Sequence, residues 1–321
     1  MATREKKSRP VSTKSGMPQK KAGKPGVKKK KAPTATRHKG KPQKPKVSKS
    51  IQKRNRKKEK VKNPFRKKEN IRQYLFVINE LTSREIKRKY ARSSLGIIWS
   101  VLNPLLTMVV MSLIFSTMFR RSIENFPIYY LTGQIFWTLF SVSTNSSMTS
   151  LVDNKTLLIK AKLPKQTFIL SRVYTSLVNF GYTCIAYVLM LLVFRIKPTW
   201  TMLLFPVDVF FTLVFAMGIG YILAVVYVFF ADIKYLYSVL LTLLMYLSAI
   251  FYPVTALSDA MRSVIECNPV YVSIAFAREC VMYGQVPEPM MWMKLIGWSI
   301  GSFAVGMLVF KAKENQVMQK V

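Results

Sequence analysis

Acidic residues are scarce in this chain: 321 residues carry 14 Asp plus Glu against 50 Lys plus Arg, a formal net charge of +36. Histidine is nearly missing. The single one, His38, lies in a lysine-rich stretch and reads as a solvated side chain, so histidine-based catalysis is excluded. Three cysteines, Cys184, Cys267 and Cys280, show no metal-binding or redox spacing. Cys267 and Cys280 are either free thiols or, if their loop faces an oxidising compartment, partners in a disulfide. No phosphate loop of the form G-x-x-x-x-G-K-[ST] occurs, because Gly23-Lys24 and Gly40-Lys41 are each followed by proline. The sequence therefore offers no catalytic, metal or cofactor-binding residues of its own. No apolar run long enough to serve as a secretory signal begins before residue 90, which leaves membrane delivery to later segments.

What is present divides at residue 70. Residues 1–70 hold 28 Lys/Arg and three acids, a net of +25, and too little apolar surface to offset chain entropy. They are expected to form a disordered cytoplasmic tail. The rest is apolar enough for a membrane protein, since about 20 apolar residues in a helix cross a hydrocarbon core of roughly 30 Å. Four runs, at 93–119, 125–152, 173–194 and 235–258, contain no charged residue at all. Two more, at 201–231 and 289–310, are broken only by Asp208 and Lys294, which can snorkel from the span ends. The expected fold is an all-α membrane protein with six transmembrane helices at about 93–119, 125–147, 168–194, 201–231, 235–257 and 289–310. An amphipathic segment at 71–92 precedes them, and a short C-terminus at 311–321 follows.

Arg84, Lys87, Arg88, Lys89 and Arg92 crowd the approach to the first span and place the N-terminus in the cytoplasm. Six spans return the C-terminus to that side. In 71–92, Ile71, Tyr74, Leu75, Ile78 and Leu81 form one apolar stripe, and Thr82-Ser83-Arg84-Glu85 reads as a capping box opening a second short helix. There Ile86 and Tyr90 share a face while Arg84, Lys87 and Arg88 point elsewhere, the pattern of an interfacial helix on an anionic leaflet. Residues 258–288 carry apolar stretches too short to span, interrupted by Asn268-Pro269 and Gly284, and predict two short helices on the outer side. In the second cytoplasmic loop Leu157, Leu158 and Leu163 stand among Lys155, Lys160, Lys162 and Lys165, in a helix that Pro164 ends. Such a helix either docks in a groove on a partner or remains a solvated positive-inside loop.

Around the first span the sequence reads REIKRKYARSSLGIIWSVLNPLL, followed further on by Asn154-Lys155-x-x-Leu158-Ile159-x-x-x-Leu163-Pro164-Lys165. Val228-Phe229-Phe230-Ala231-Asp232 and Ser248-Ala249-Ile250-Phe251-Tyr252-Pro253 follow in turn, with Asn268-Pro269 and Arg278 beyond them. Together these resemble the permease subunits of type-2 ATP-binding-cassette exporters of polysaccharide and teichoic acid. Ala231 stands where that family usually has Arg, and Ala249 where it often has Pro. The resemblance implies a homodimeric permease that works with two separate ATPase subunits, where ATP and Mg bind, and exports a lipid-linked glycopolymer. It also implies that Leu157, Leu158, Lys160, Leu163 and Pro164 receive force from the ATPase and that Asn268, Pro269 and Arg278 belong to an outer gate. Tyr130, Phe136, Trp137 and Phe140 either line a sugar path or pack the bundle. Two other readings stay open: a membrane-anchored polyanion-binding protein acting through its basic tail, and a drug exporter of the same broad fold. The tail suits anionic lipid or polymer rather than specific nucleic acid, because Phe65 is its only aromatic residue.

Overall fold

Prolines mark where the helices begin. Pro127, Pro206 and Pro269 lie in first turns, where the missing N–H has no intrahelical partner to lose. The computed structural model describes residues 64–118, 123–160 and 163–320, so most of the lysine-rich tail lies outside the described residues. Among the described residues every regular element is helical. The order is α1 (Pro64–Tyr90), α2 (Ile98–Phe115), α3 (Phe126–Asp153), α4 (Lys155–Lys160), α5 (Gln166–Val193), a 3₁₀ turn (Trp200–Leu204) running into α6 (Phe205–Phe229), α7 (Ile233–Tyr246), α8 (Asp259–Glu266), α9 (Pro269–Arg278) and α10 (Pro289–Lys320).

Helices α3 and α6 form the centre, with α5 and α10 packed outside them and α1 lying along α5. The α6–α10 contact is close because it has little side chain to hold it apart. A Cβ on Gly218 would overlap the backbone of Ser302 and Phe303, and one on Gly306 would overlap Gly218 itself. Ser299 Oγ donates to Phe211 O at 2.9 Å across the same seam. Small residues and hydroxyls of this kind join helices in lipid, where apolar side chains gain nothing by leaving hydrocarbon. Large apolar side chains face outward instead, among them Leu113 on α2, Leu192 on α5, Leu240 on α7 and Leu308 on α10.

Among the described residues four helices are long and apolar enough to cross a membrane: Ile98–Phe115, Gln166–Val193, Trp200–Phe229 and Pro289–Lys320. The expected second span is α3, whose 28 residues give about 42 Å of helix. Its low hydropathy comes from buried hydroxyls that bond to their own helix, as Thr132 does to Ile128 O at 2.8 Å and Thr144 to Phe140 O at 2.9 Å. Within the expected fifth span at 235–257 the helix ends early. Helix α7 has 14 residues, about 21 Å, and the chain then turns. Pro253 disfavours helix at the residue before it, and the carbonyls of Leu247, Ala249, Ile250 and Tyr252 accept from side chains elsewhere, as described below.

The amphipathic segment also differs from expectation. No break occurs at Thr82–Ser83, and α1 runs unbroken for 27 residues from Pro64. Thr82 is buried against α5, where its Oγ1 donates to Ser171 O at 3.4 Å and accepts from Thr175 Oγ1 at 3.1 Å. A hydroxyl committed to a neighbouring helix cannot also cap its own. Two short helices, α8 and α9, do form between α7 and α10.

Candidate functional site

The turn after α7 is held by three side chains that donate into its backbone. Ala249 has a φ of 47°, in the left-handed region. Arg278, at the end of α9, donates through Nη1 to Ala249 O at 3.1 Å and through Nη2 to Ile250 O at 3.3 Å. Nη2 also reaches Tyr129 O on α3 at 3.2 Å, and the guanidinium carbon lies 3.4 Å from the centre of the Tyr129 ring. Tyr129 Oη donates to Tyr252 O at 2.9 Å. Asn268 Nδ2 donates to Leu247 O at 3.0 Å and Ser248 Oγ at 3.1 Å, while Asn268 Oδ1 caps α9 by accepting from Val270 N. Gly133 makes room for this arrangement, because a Cβ there would come 2.9 Å from Arg278 Nη2.

Arg278 is buried, and among the described residues no carboxylate pairs with it. Burial pulls its pKa down, opposed by the nearby Tyr129 and Tyr271. Carbonyl oxygens and one aromatic face therefore do the work of a counter-ion. The knot joins α3, α9 and the α7–α8 turn. Beside it opens a cavity of about 220 Å³ lined by Tyr129, Arg262, Glu266, Tyr271 and Arg278. Pro269 occupies the first turn of α9 and fixes where that helix starts.

Asp208 enters the same region from α6. It is fully buried rather than snorkelling, contrary to the sequence expectation, because its short side chain turns inward to accept from Ser273 Oγ of α9 at 2.8 Å. Thr212 Oγ1 lies 3.5 Å from the same oxygen, and Asp208 Oδ2 has no hydrogen-bond partner. The sequence shows Asp208 as a charge at a span end. Its bond to Ser273, 65 residues away, has no sequence pattern. Cys267 is exposed and Cys280 buried, both as free thiols, so they do not pair here. Burial pushes the Cys280 thiol up to about 12, with Asp208 and Glu279 adding to it.

At the opposite end of α3 the chain gathers its basic residues. Arg172 of α5 forms ion pairs with Glu85 of α1 and, at 2.8 Å, with Asp153 at the end of α3. Arg84 donates to Asn154 Oδ1 at 2.7 Å, and Tyr90 shares a hydrogen bond with Ser100. Lys87 and Arg88 are exposed. Helix α4 follows at once, and here one expected docking residue is reassigned. Leu158 is buried with Leu81, Leu151, Phe168 and Tyr221, so it anchors α4 to its own bundle. Leu157, Ile159, Lys160 and Pro164 remain exposed, and Leu163 packs partly against the same cluster. Lys165 pairs with Glu314 of α10 at 3.1 Å, which ties the loop to the last helix.

The four rings considered for a sugar path are almost wholly covered. Tyr130 packs against Phe126 and Phe251, Phe136 meets Phe180 and Phe205, and Phe140 stacks on Phe215 at 5.3 Å. Trp137 is tilted on Phe140 and shares an open groove with Asn145 and Ser238. Of the two readings of these rings, packing describes all four in this structure, and Trp137 also borders an open groove.

Residues 77–282, from the middle of α1 to just beyond Arg278, match the model of the ABC-2 type transporter family. The chain belongs to this family. It is 31% identical over 252 residues to the O-antigen export system permease protein RfbA of Myxococcus xanthus, covering 78% of this chain and 96% of that one. A Klebsiella pneumoniae protein of the same name is 28% identical over 66% of this chain and 82% of its own. The Escherichia coli polysialic acid transport protein KpsM is 23% identical over 75% of this chain and 95% of its own. The family match takes in both ends of α3, the carbonyl knot and the basic loop alike. With its apolar, outward-facing helices, this member is a multi-pass membrane protein.

Proposed function

We propose that this chain is the membrane-spanning permease subunit of a transporter that exports a lipid-linked polysaccharide of the O-antigen or capsule kind across the bacterial cytoplasmic membrane. The observation that carries this reading is the Myxococcus relative, similar along 96% of its length and named as an O-antigen export permease. Polysaccharide is favoured over a teichoic-acid-type polymer because the relatives are named for O-antigen and polysialic acid. A homodimer is the proposed working unit, supported by α2, where only Met108 is buried, and by the exposed apolar face of α7. Energy comes from two separate ATPase subunits that hold ATP and Mg, consistent with the missing phosphate loop in this sequence. They dock on Leu157, Ile159, Lys160 and Pro164, while the interfacial face of Arg84, Lys87, Arg88 and Tyr90 lies at the inner leaflet. Asn268, Pro269 and Arg278 hold the outer gate, and both termini are cytoplasmic. The basic tail attracts anionic lipid or the polymer itself.

The test is deletion of the gene in its host, with surface glycan followed by immunoblot and the chain affinity-purified from the complemented strain. Loss of long-chain surface polysaccharide, together with recovery of a nucleotide-hydrolysing partner, is expected. Normal surface glycan in the deletion strain would overturn the reading.

A further inference from the structure

The cavity of about 220 Å³ beside the Arg278 knot is walled by the start of α3, the α7–α8 turn, α8, α9 and the π-helical turn Glu279–Tyr283. Its lining is as much polar as apolar. Tyr271 and Tyr283 supply aromatic rings, and Thr255, Glu266 and Glu279 supply oxygens. The hydroxyls of Thr255, Tyr271 and Tyr283 and the carboxylate of Glu279 have no hydrogen-bond partner among the described residues. Three groups that can donate or accept, and one that only accepts, therefore border a single space between rings. A few polar groups set in a partly apolar, concave wall are what a small-molecule site requires.

Charge narrows the class of ligand. The two cations in the lining are Arg262 and Arg278, and both are engaged. Arg262 Nε donates to Glu266 Oε1 at 2.8 Å, while Arg278 makes four hydrogen bonds to the carbonyls of Tyr129, Ala249 and Ile250. Lys294 donates to Glu266 O at 3.2 Å but does not line the cavity. Glu279 is the lining charge with neither a hydrogen bond nor an ion pair among the described residues, and burial together with nearby Glu288 holds its carboxyl above the usual value. A ligand carrying its own carboxylate would meet Glu279 with no guanidinium fork free to receive it. A neutral ligand rich in hydroxyls would satisfy Glu279, Thr255 and the tyrosines together.

We propose that this cavity binds one uncharged pyranose ring, its face against Tyr283 and its hydroxyls on Glu279 and Thr255, and that it disfavours acidic sugars. Its volume is below the roughly 300 Å³ at which drug-sized sites begin, which suits one ring rather than an oligosaccharide. That the ring is a unit of the exported polymer rests on the function proposed above. The binding and its preference for neutral sugars stand on the cavity alone.

The probes are diazirine-bearing methyl pyranosides of mannose, galactose, rhamnose and N-acetylglucosamine, with the matching probe of glucuronic acid. Each is added to the full chain in nanodiscs of neutral lipid, and labelled residues are read by mass spectrometry. One or more neutral probes should label the α8–α9 segment, and the glucuronide about tenfold less, the cost of an unreceived charge. Tyr283→Ala should lower the neutral labelling about tenfold through loss of the ring and its hydroxyl, and Tyr283→Phe should lower it less. Glu279→Lys should reverse the preference, raising labelling by the glucuronide above that by the neutral probes. Neither residue belongs to a buried cluster, so thermal unfolding of these variants should match that of the unsubstituted chain. Glucuronide labelling equal to that of every neutral probe would overturn the proposal, as would neutral labelling no stronger than in Tyr283→Ala. A preference unmoved by Glu279→Lys would overturn it too. Polysaccharide export is measured separately in cells. A chain needed for export whose cavity takes no probe loses this site alone, whereas a labelled cavity in a chain whose deletion leaves surface glycan normal removes the transport reading alone.

Discussion

At the scale of single residues, the most demanding position is Arg278. Among the described residues its guanidinium is buried without a carboxylate, and it donates to three carbonyls, of Tyr129, Ala249 and Ile250. Each carbonyl left unsatisfied costs about 1–3 kcal/mol, so Arg278→Ala should destabilise the protein by several kcal/mol. Lysine presents a point charge rather than a planar fork and should recover only part of the loss. Thermal unfolding of the purified protein checks this, and an unchanged transition for Arg278→Ala would remove the knot from the account. Asp208 makes a softer demand, since asparagine keeps an oxygen for Ser273 and Thr212. Asp208→Asn should therefore fold nearly as well as the original, whereas Asp208→Leu leaves the Ser273 hydroxyl of α9 without its acceptor and should lower the transition measurably.

At the scale of elements, α4 separates two roles that adjacent leucines and isoleucine share in sequence. Leu158→Ala removes an anchor from a buried cluster and should cost about 2–5 kcal/mol of stability. Ile159→Asp alters an exposed side chain, so it should leave thermal stability unchanged while reducing co-purification of the ATPase partner. Equal loss of stability in both variants would return α4 to a purely structural loop. The sequence could not divide these roles, because Leu157, Leu158 and Ile159 are three consecutive apolar residues in a helix of six. Which of them faces inward depends on how Asn154 and Lys155 leave α3. The helices themselves were far more legible, since long uncharged runs have few alternatives in a bilayer. The end of α7 was not, because the carbonyls of Leu247, Ala249, Ile250 and Tyr252 accept from donors on Tyr129, Asn268 and Arg278. Hydropathy carries no record of such tertiary partners. The same blindness hid the Arg172 ion pairs, whose partner Glu85 lies 87 residues away in the chain.

At the scale of the whole molecule, the two ends of α3 differ in charge, and that difference underlies the proposed orientation. Arg84, Lys87, Arg88, Lys160 and Lys165 gather at the end where Lys165 pairs with Glu314, so α1, α4 and the last turns of α10 share one side. The positive-inside rule supports the cytoplasmic placement proposed for that side. On that proposal the opposite end, with α8, α9 and the Arg278 knot, faces outward. Asp259 and Glu288 are both exposed there and can be replaced without disturbing the core. Asp259→Cys and Glu288→Cys, placed in a background with Cys267 changed to Ser, should react with a membrane-impermeant maleimide added to intact spheroplasts. Lys160→Cys at the other end should react only after the membrane is permeabilised. Because all three positions are exposed, burial cannot explain a difference between them, and the side of the membrane must. The reverse pattern, with Lys160→Cys labelled first, would invert the molecule and place the carbonyl knot and its cavity in the cytoplasm.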